Sequence, residues 1–290
     1  MTKPRSTSET FSDKMRYLWY LIKRNPLSMA GLFLLLILVI LAIFAPLFTA
    51  YDPNASDIRN MMQPPSAEHI FGTDSTGKDI FARCLYGARF DLGIAIGAVV
   101  VSLVLGVPLG AYLGYKGGRA DEFIMRILDS VQAFPSFVLA MLIISTIGQD
   151  VTSLMIVIGF VNFPAFTRLV RAEMMSRKHS QYVEAARCVG NSTASIIFRH
   201  ILPNCTSPII NQAALTCGWA IITTAGLGFL GLGVKIPNPE WGSMISSGAQ
   251  YVLTGEWWWS FFPGICIALT VLAFNLMGDA VDDILDPRRR

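Results

Sequence analysis

Long stretches without a charged or histidine side chain dominate the chain, and polar segments separate them. Six such stretches run through residues 27–51, 92–115, 130–149, 151–167, 201–234 and 257–278. A helix needs about 20 apolar residues to cross a bilayer. Five of the stretches have that length, and 151–167 reaches it if Arg168 extends its guanidinium group to the interface. The pattern therefore predicts six transmembrane helices.

Two of these stretches need closer definition, because their lengths admit other interpretations. The apolar core of 27–51 is longer than the roughly 7–15 residues of a secretion signal, and a long charged segment precedes it. It is therefore predicted to remain as the first transmembrane helix, at 27–49. The stretch 201–234 exceeds one crossing and begins with a polar, proline-containing segment. Its span is predicted to start near Ile209.

Composition agrees with a membrane protein and excludes several other classes. Of the 290 residues, 53% are hydrophobic and 15% are charged, against about 25% charged residues in soluble domains. The net charge of +3 is too small to indicate a nucleic-acid partner. The 5 cysteines are odd in number and include no CxxC pair, which favours free thiols. The predicted fold class is therefore an all-α integral membrane protein.

Basic residues divide unequally between the two sides of the predicted bundle. Of the 23 Lys and Arg residues, 18 fall on the side of both termini, loop 116–126 and segment 168–199, and 5 fall on the opposite side. Positive residues are retained in the cytoplasm. The sequence therefore predicts a cytoplasmic N-terminal segment (1–26), an external loop (50–89), a five-helix core (90–283) with a cytoplasmic loop (174–205), and a cytoplasmic tail (284–290).

The segment 72–79 nearly matches the phosphate-binding loop of nucleotide-binding proteins. Asp79 stands where that loop needs Ser or Thr for magnesium, and a carboxylate there would repel a triphosphate. No apolar strand precedes the segment, and its predicted position is external. The three histidines also lack the spacing of metal ligands. The sequence therefore predicts no cofactor, metal site or catalytic cluster in this chain.

The predicted cytoplasmic loop contains clear helix signals. Ser180 is predicted to cap a short helix with Glu184 in its first turn, and Gly190 is predicted to end that helix in a left-handed conformation. A second short helix is predicted to start at position 191 or 192 and to stop by Pro203. The result is a compact helix, turn and helix on the cytoplasmic face.

Two interpretations of this loop remain open on its spacing. The small side chains of Ala185 and Ala186 would let a partner protein approach the backbone closely, and Tyr182 would supply an aromatic anchor. Alternatively, the loop is an amphipathic segment that only covers the bundle.

An ordered series of motifs resembles the permeases of ABC importers. Glu184-Ala185-Ala186, Gly190 and the run from His200 to Pro203 resemble their EAA loop, whose short helix docks in a cleft of the ATPase subunit. The C-type group of dipeptide, oligopeptide and nickel permeases is further resembled by FGTD and GKD within 71–79, MRILD at 125–129, GFLGLG at 228–233, PNPEWG at 237–242 and AFNLMGD at 273–279. Asp282 departs from the group, which usually has Arg there. The coupling residues that the resemblance implies are Tyr182, Glu184, Ala185, Ala186, Gly190, His200, Leu202 and Pro203.

The resemblance implies a type I importer permease fold with six transmembrane helices and a cytoplasmic coupling helix, in the bacterial cytoplasmic (inner) membrane. It also implies a homologous second permease, two ATPase subunits that bind ATP and magnesium, and an external solute-binding protein. The chain itself would then be no enzyme. Peptides are the leading solute, with nickel chelates, opines and oligosaccharides as alternatives.

An ion-coupled secondary transporter is the main alternative from another class. Such a protein normally needs ionisable residues in a relay near the middle of the membrane. The ionisable residues at the predicted helix edges form no obvious relay of this kind: Asp91, Arg126, Asp129, Glu173 and Asp279. This argues weakly against ion coupling.

Overall fold

The computed structural model describes residues 26–285, with side chains from 26 to 278. The predicted N-terminal segment 1–26 and tail 284–290 fall almost wholly outside this range. Within it, regular structure is helical apart from one isolated bridge between Thr73 and Asp79. The helices are α1 (Pro26–Ile43), α2 (Ala45–Phe48), α3 (Ile80–Lys116), α4 (Arg119–Gln132), α5 (Ser136–Ile147), α6 (Val151–Arg177), α7 (Gln181–Cys188), α8 (Thr193–Ser195), α9 (Thr206–Phe229), α10 (Trp241–Ala249) and α11 (Trp258–Leu285).

Four of the described helices, α1, α3, α6 and α11, are long and apolar enough to cross a membrane. A fifth span results if α4 and α5, which are bent by 84° relative to each other, count as one. Helix α9 has 24 residues, but Asn211 and Gln212 in its first half lower its hydropathy. The described residues therefore form an all-helical membrane protein with four or five candidate spans, and the count of six remains a prediction.

The charge-free stretch 130–149 does not form the single helix that its hydropathy predicts. Helix α4 ends at Gln132, and α5 begins at Ser136 directly after Pro135. A proline disfavours helical backbone in the residue before it and has no N–H to continue the hydrogen-bond ladder. The helix is therefore interrupted inside an apolar stretch, where a count of charged residues gives no sign of it.

Helix α3 begins at Ile80, inside the segment 50–89 that the sequence predicts as an external loop. Asp79 caps this helix, because its Oδ1 accepts the backbone N–H of Ala82 at 2.7 Å. Oδ1 of Asp74 accepts two further backbone N–H groups of the same segment. Asp79, which interrupts the phosphate-loop pattern, thus starts a helix, and Asp74 organises the turn before it.

Helices α3 and α6 pack against each other through small residues. A side chain at Gly106 would place its Cβ 2.7 Å from the carbonyl oxygen of Phe163, and one at Gly114 would place it 2.5 Å from that of Arg171. Close approach through small residues is how helices associate where lipid removes the hydrophobic driving force. Gly106 and Gly114 therefore mark points where the backbones of α3 and α6 approach each other closely.

Two groups of buried apolar residues fill the bundle. The larger group contains side chains of α3, α5, α6, α9, α10 and α11, with Trp241 among those that are fully buried. The smaller group joins Ala111 of α3, Val170 and Met174 of α6, and Ile209 of α9 to the segment that contains α7. The second group places α7 at one end of the bundle, against three of its long helices.

Candidate coupling site

Helix α7 has the limits that the sequence predicts, but the side chain of Ser180 does not cap it. Ser180 stands at the cap position with extended backbone, and its side chain makes no capping hydrogen bond. Its hydroxyl donates instead to the carbonyl oxygen of Arg177 at 2.6 Å. At the other end, Gly190 has φ +84°, with open space around it. The left-handed conformation predicted for Gly190 is therefore confirmed.

Helix α7 has one face in the protein and one in solvent. Val183 and Ala186, which are 0% and 7% exposed, pack into the smaller buried group. The spacing of three residues places them on the same side of the helix. Tyr182 is 41% exposed, and Glu184 and Ala185 are exposed as well. The structure therefore divides the predicted coupling residues between two faces.

Ala186 serves the packing of this chain. Its methyl group is buried, and its carbonyl oxygen accepts both the backbone N–H and the side-chain Nδ2 of Asn191 at 3.1 Å. Ala185 is the small residue that leaves the helix surface open to another protein. The sequence alone does not show which of these two alanines is buried, because the side of an eight-residue helix that faces the protein depends on the elements against which the helix packs.

The second half of the loop does not stop at Pro203 as predicted. Ser192 caps α8, and the chain then continues as a π-helix (Ile196–Ile201) and a 3-10 turn (Leu202–Cys205) directly into α9. Pro203 lies in the first turn of the 3-10 segment, where its missing N–H costs no hydrogen bond. Helical backbone therefore connects the coupling loop to α9, which begins at Thr206, slightly before the predicted Ile209.

The remaining predicted coupling residues lie beside α7. His200 is partly exposed, Leu202 packs on the smaller buried group, and Pro203 is exposed. The carbonyl oxygen of His200 accepts a hydrogen bond from Nδ2 of Asn204 at 2.7 Å. These residues shape the link between the loop and α9.

Arg187 ties α7 to α3, a contact that sequence reasoning missed. Its Nε donates to the hydroxyl oxygen of Tyr115 at 3.1 Å, and its guanidinium carbon lies 5.3 Å from the centre of that ring. Tyr115 lies near the end of α3, far away in sequence. No local sequence pattern indicates this pairing. The sequence shows only that an arginine directly follows the Glu184-Ala185-Ala186 motif.

Ion pairs hold α4 against α6 next to the loop. Arg171 donates from Nε and Nη2 to the two carboxylate oxygens of Asp121, both at 2.6 Å. Arg168 pairs with Asp129 at 2.7 Å. The first pair is the stronger, because its planar two-bond geometry is well matched and Asp121 is buried, whereas the second is largely exposed.

The five cysteines are free thiols, as the sequence predicts. Cys188, on α7, is exposed, and the other four are buried or partly buried. Burial raises the pKa of the Cys205 thiol to about 11, so this thiol stays protonated and unreactive at neutral pH. The coupling site therefore offers one accessible thiol.

Family comparisons cover both ends of the chain. The family described as "Binding-protein-dependent transport system inner membrane component" matches residues 106–290, and "N-terminal TM domain of oligopeptide transport permease C" matches residues 14–65. The chain is 44% identical over 269 residues to the dipeptide transport system permease protein DppC of Alkalihalophilus pseudofirmus, covering 93% of this chain and 88% of that protein.

Two further comparisons agree. The oligopeptide transport system permease protein OppC of Bacillus subtilis is 37% identical over 287 residues, with 98% of this chain and 94% of that protein covered. Among solved structures, an inward-facing form of the MetNI methionine ABC transporter matches with a TM-score of 0.59 at 17% identity, over 71% of this chain and 98% of that one. This likeness concerns the fold. The chain belongs to the family of binding-protein-dependent ABC importer permeases, within the C-type group that includes the dipeptide and oligopeptide permeases.

Proposed function

We propose that this chain is one of two permease subunits in an ATP-driven importer of dipeptides or oligopeptides. The observation that carries the proposal is the similarity to peptide permeases over nearly the whole chain. ATP and magnesium bind to separate ATPase subunits, and an external binding protein delivers the solute. Nickel chelates, opines and oligosaccharides are the alternative solutes, and an ion-coupled transporter is the alternative from another class.

The exposed face of α7 is the docking site for an ATPase subunit in this proposal. Tyr182, Glu184 and Ala185 lie on that face. The opposite face packs on residues of α3, α6 and α9. A movement of the ATPase subunits would therefore act on three long helices at once, through a tightly packed contact that deforms little. Two conformations of the bundle with different affinity for the ATPases would couple hydrolysis to transport.

Six transmembrane helices and a cytoplasmic position of both termini complete the proposal. The bent pair α4–α5 and helix α9 supply the two crossings beyond α1, α3, α6 and α11. The uneven distribution of Lys and Arg supports the orientation. Residues 1–25 and 286–290 lie outside the described part of the chain, so the positions of the ends rest on the sequence.

Reversal of the charge at Glu184 tests the coupling role. Glu184→Lys is expected to weaken attachment of the ATPase subunits, because changing one member of a charged pair at a protein contact costs about 2–5 kcal/mol. The measurements are co-purification of the ATPases, peptide-stimulated ATP hydrolysis and uptake of a labelled dipeptide by the reconstituted complex. Glu122→Lys, at an exposed position of α4, makes the same change away from α7 and should have no such effect.

The same assay tests the solute and the transport class. Unlabelled di- and oligopeptides should compete with the labelled dipeptide, and nickel chelates and oligosaccharides should not. Coupled uptake by Glu184→Lys at the level of the unchanged protein would refute the coupling site. Uptake by this chain alone, without ATPase subunits, would refute the importer proposal.

A further inference from the structure

A cavity of about 560 Å³ lies among α5, α6 and α9. This volume lies in the range of small-molecule sites, about 300–1,000 Å³. The cavity opens away from the core of this chain, since Trp219 at its edge is 66% exposed. The polar side chains that line it are Ser136, Asn162, Gln212, Thr216 and Thr223.

The part of the cavity wall contributed by α9 is a continuous stripe. Gln212, Thr216, Trp219, Thr223 and Gly226 follow one another at intervals of three or four residues and all line the cavity. Residues with this spacing share one face of a helix. At 1.5 Å per residue the stripe extends about 21 Å along the axis, which is most of the roughly 30 Å hydrocarbon core.

Gln212, Thr216 and Thr223 are the polar members of this stripe. Both threonine hydroxyls donate to carbonyl oxygens one turn earlier in α9, whereas the carboxamide group of Gln212 is unfavourable against lipid. Strongly polar side chains in transmembrane segments face the protein interior or a water-filled space. The buried face of α9 already packs on its neighbours through apolar residues such as Ile221 and Leu227. The polar stripe is therefore suited to a wet space beside the bundle.

Hydrogen bonds within the chain leave acceptors in this wall. Nδ2 of Asn162 donates to the carbonyl oxygen of Ile158 at 2.8 Å, and Nε2 of Gln212 donates to Oγ1 of Thr216 at 3.2 Å. The oxygens of both carboxamide groups accept no hydrogen bond from the described residues. No lining residue carries a charge. The wall thus presents uncharged hydrogen-bonding groups, and its two free carboxamide oxygens can accept N–H groups of a peptide backbone whatever the charge of the peptide's side chains.

We propose that the lining of this cavity forms this chain's part of the wall of the translocation pathway, and that Asn162 and Gln212 accept hydrogen bonds from the N–H groups of a passing peptide. The peptide part of this inference rests on the proposed function. The wall provides neutral acceptors for the peptide backbone and no ionic partner for peptide side chains. This chain's part of the pathway therefore does not select peptides by charge.

Thiol labelling tests whether the stripe lies in water. In a Cys188→Ser background of the complete transporter, the variants Gln212→Cys and Thr223→Cys are treated with a charged, membrane-impermeant methanethiosulfonate. Both should react well above the background of the parent, because the reagent needs a hydrated thiolate. Val104→Cys is the matched control: Val104 is 66% exposed on α3 but lies outside the cavity, and it should not react.

Labelling of the two stripe positions no faster than Val104→Cys would overturn the pathway assignment, since the groove would then face lipid or a tightly packed protein. This outcome is separate from failure of the proposed function, which would appear as absence of peptide uptake by the Cys188→Ser parent. If the stripe is labelled but the parent imports no peptide, the stripe faces water and peptide is not the transported solute.

Uptake kinetics test the hydrogen bonds. The near-isosteric changes Asn162→Leu and Gln212→Met should each lower kcat/KM for dipeptide uptake about fivefold, the effect of one lost hydrogen bond. The loss should be equal for acidic, basic and neutral dipeptides. Thr146→Val on α5, which is exposed and outside the cavity, is the control and should leave uptake unchanged. Full uptake in both variants, or a loss confined to one charge class, would contradict the proposal.

Discussion

At the scale of single residues, two buried carboxyl groups distinguish this chain. Asp91 on α3 and Glu240 before α10 are each 0% exposed. Both oxygens of Glu240 accept backbone N–H groups at the start of α10. Oδ2 of Asp91 accepts the N–H of Trp241 at 3.1 Å, while its Oδ1 has no partner among the described residues. Burial raises the pKa of Glu240.

The raised pKa of Glu240 determines the direction in which its contribution to stability changes with pH. An acid that binds its proton more tightly in the folded state stabilises that state fully below its ordinary pKa, here 4.5. The contribution is lost as pH rises through the raised value. Asp91 is a second fully buried carboxyl group nearby, and ionisation of both groups would place two like charges in a medium of low dielectric constant.

Replacement of the buried Asp91 carboxyl group by a group that does not ionise is therefore expected to stabilise the protein. Asp91→Asn keeps the acceptor for the Trp241 N–H and should raise the melting temperature of the purified complex at pH 8, with a smaller gain at pH 5. Asp91→Leu is the control: it leaves that N–H unpaired and should destabilise by about 1–3 kcal/mol. A lower melting temperature for Asp91→Asn at pH 8 would mean that the charge is compensated.

At the scale of elements, α7 shows how a short helix can hold packing and docking residues side by side. Val183 and Ala186 fix it to the bundle, and Arg187 adds the contact to Tyr115. Its other face remains open. The two functions therefore belong to different faces of one helix and can be separated by substitution.

The same substitution at neighbouring positions separates them. Ala186→Arg should lower the amount and melting temperature of the chain, because an unpaired buried charge costs about 3–5 kcal/mol. Ala185→Arg should leave the chain folded in the membrane and reduce co-purification of the ATPases. The measurements are membrane levels, thermal melting and ATPase co-purification. Equal melting temperatures for the two variants would contradict the orientation of α7.

At the scale of the whole molecule, the decisive question is which helices cross the membrane. Helices α1, α3, α6 and α11 are long and apolar enough to cross. The bent pair α4–α5 and helix α9 are the elements whose crossing fixes the topology. The first is interrupted at Pro135, and the second carries the polar residues of the stripe, which lower its hydropathy.

Reporter insertions test these two crossings. If the six proposed helices alternate in direction, Gly117 and Ser192 lie in cytoplasmic loops and Gly148 and Leu253 lie in external loops. Leu253 is 97% exposed and tolerates an insertion sterically. Opposite locations at Gly117 and Gly148 would establish the crossing of the bent pair, and opposite locations at Ser192 and Leu253 that of α9. A reporter after Arg290 should be cytoplasmic. An external signal at Ser192 would refute the orientation.

Local sequence patterns determined much of this protein. Runs without charge marked the apolar helices, because the cost of burying charge in lipid acts on each residue wherever it lies. The φ of Gly190 followed from the end of a short helix, which depends on the backbone of a few neighbours. The ordered motifs led to the family, since each is a short run of adjacent residues.

Contacts between residues distant in sequence were decided only by the tertiary structure. Packing on α3 and α6 turned Ala186 inward and left Ala185 exposed. The backbone of Trp241 met Asp91 across 150 positions, and the stripe on α9 met Asn162 of α6 around a shared cavity. Each of these outcomes depends on which helices become neighbours. That choice is made by the packing of the whole bundle, and a window of adjacent residues does not contain it.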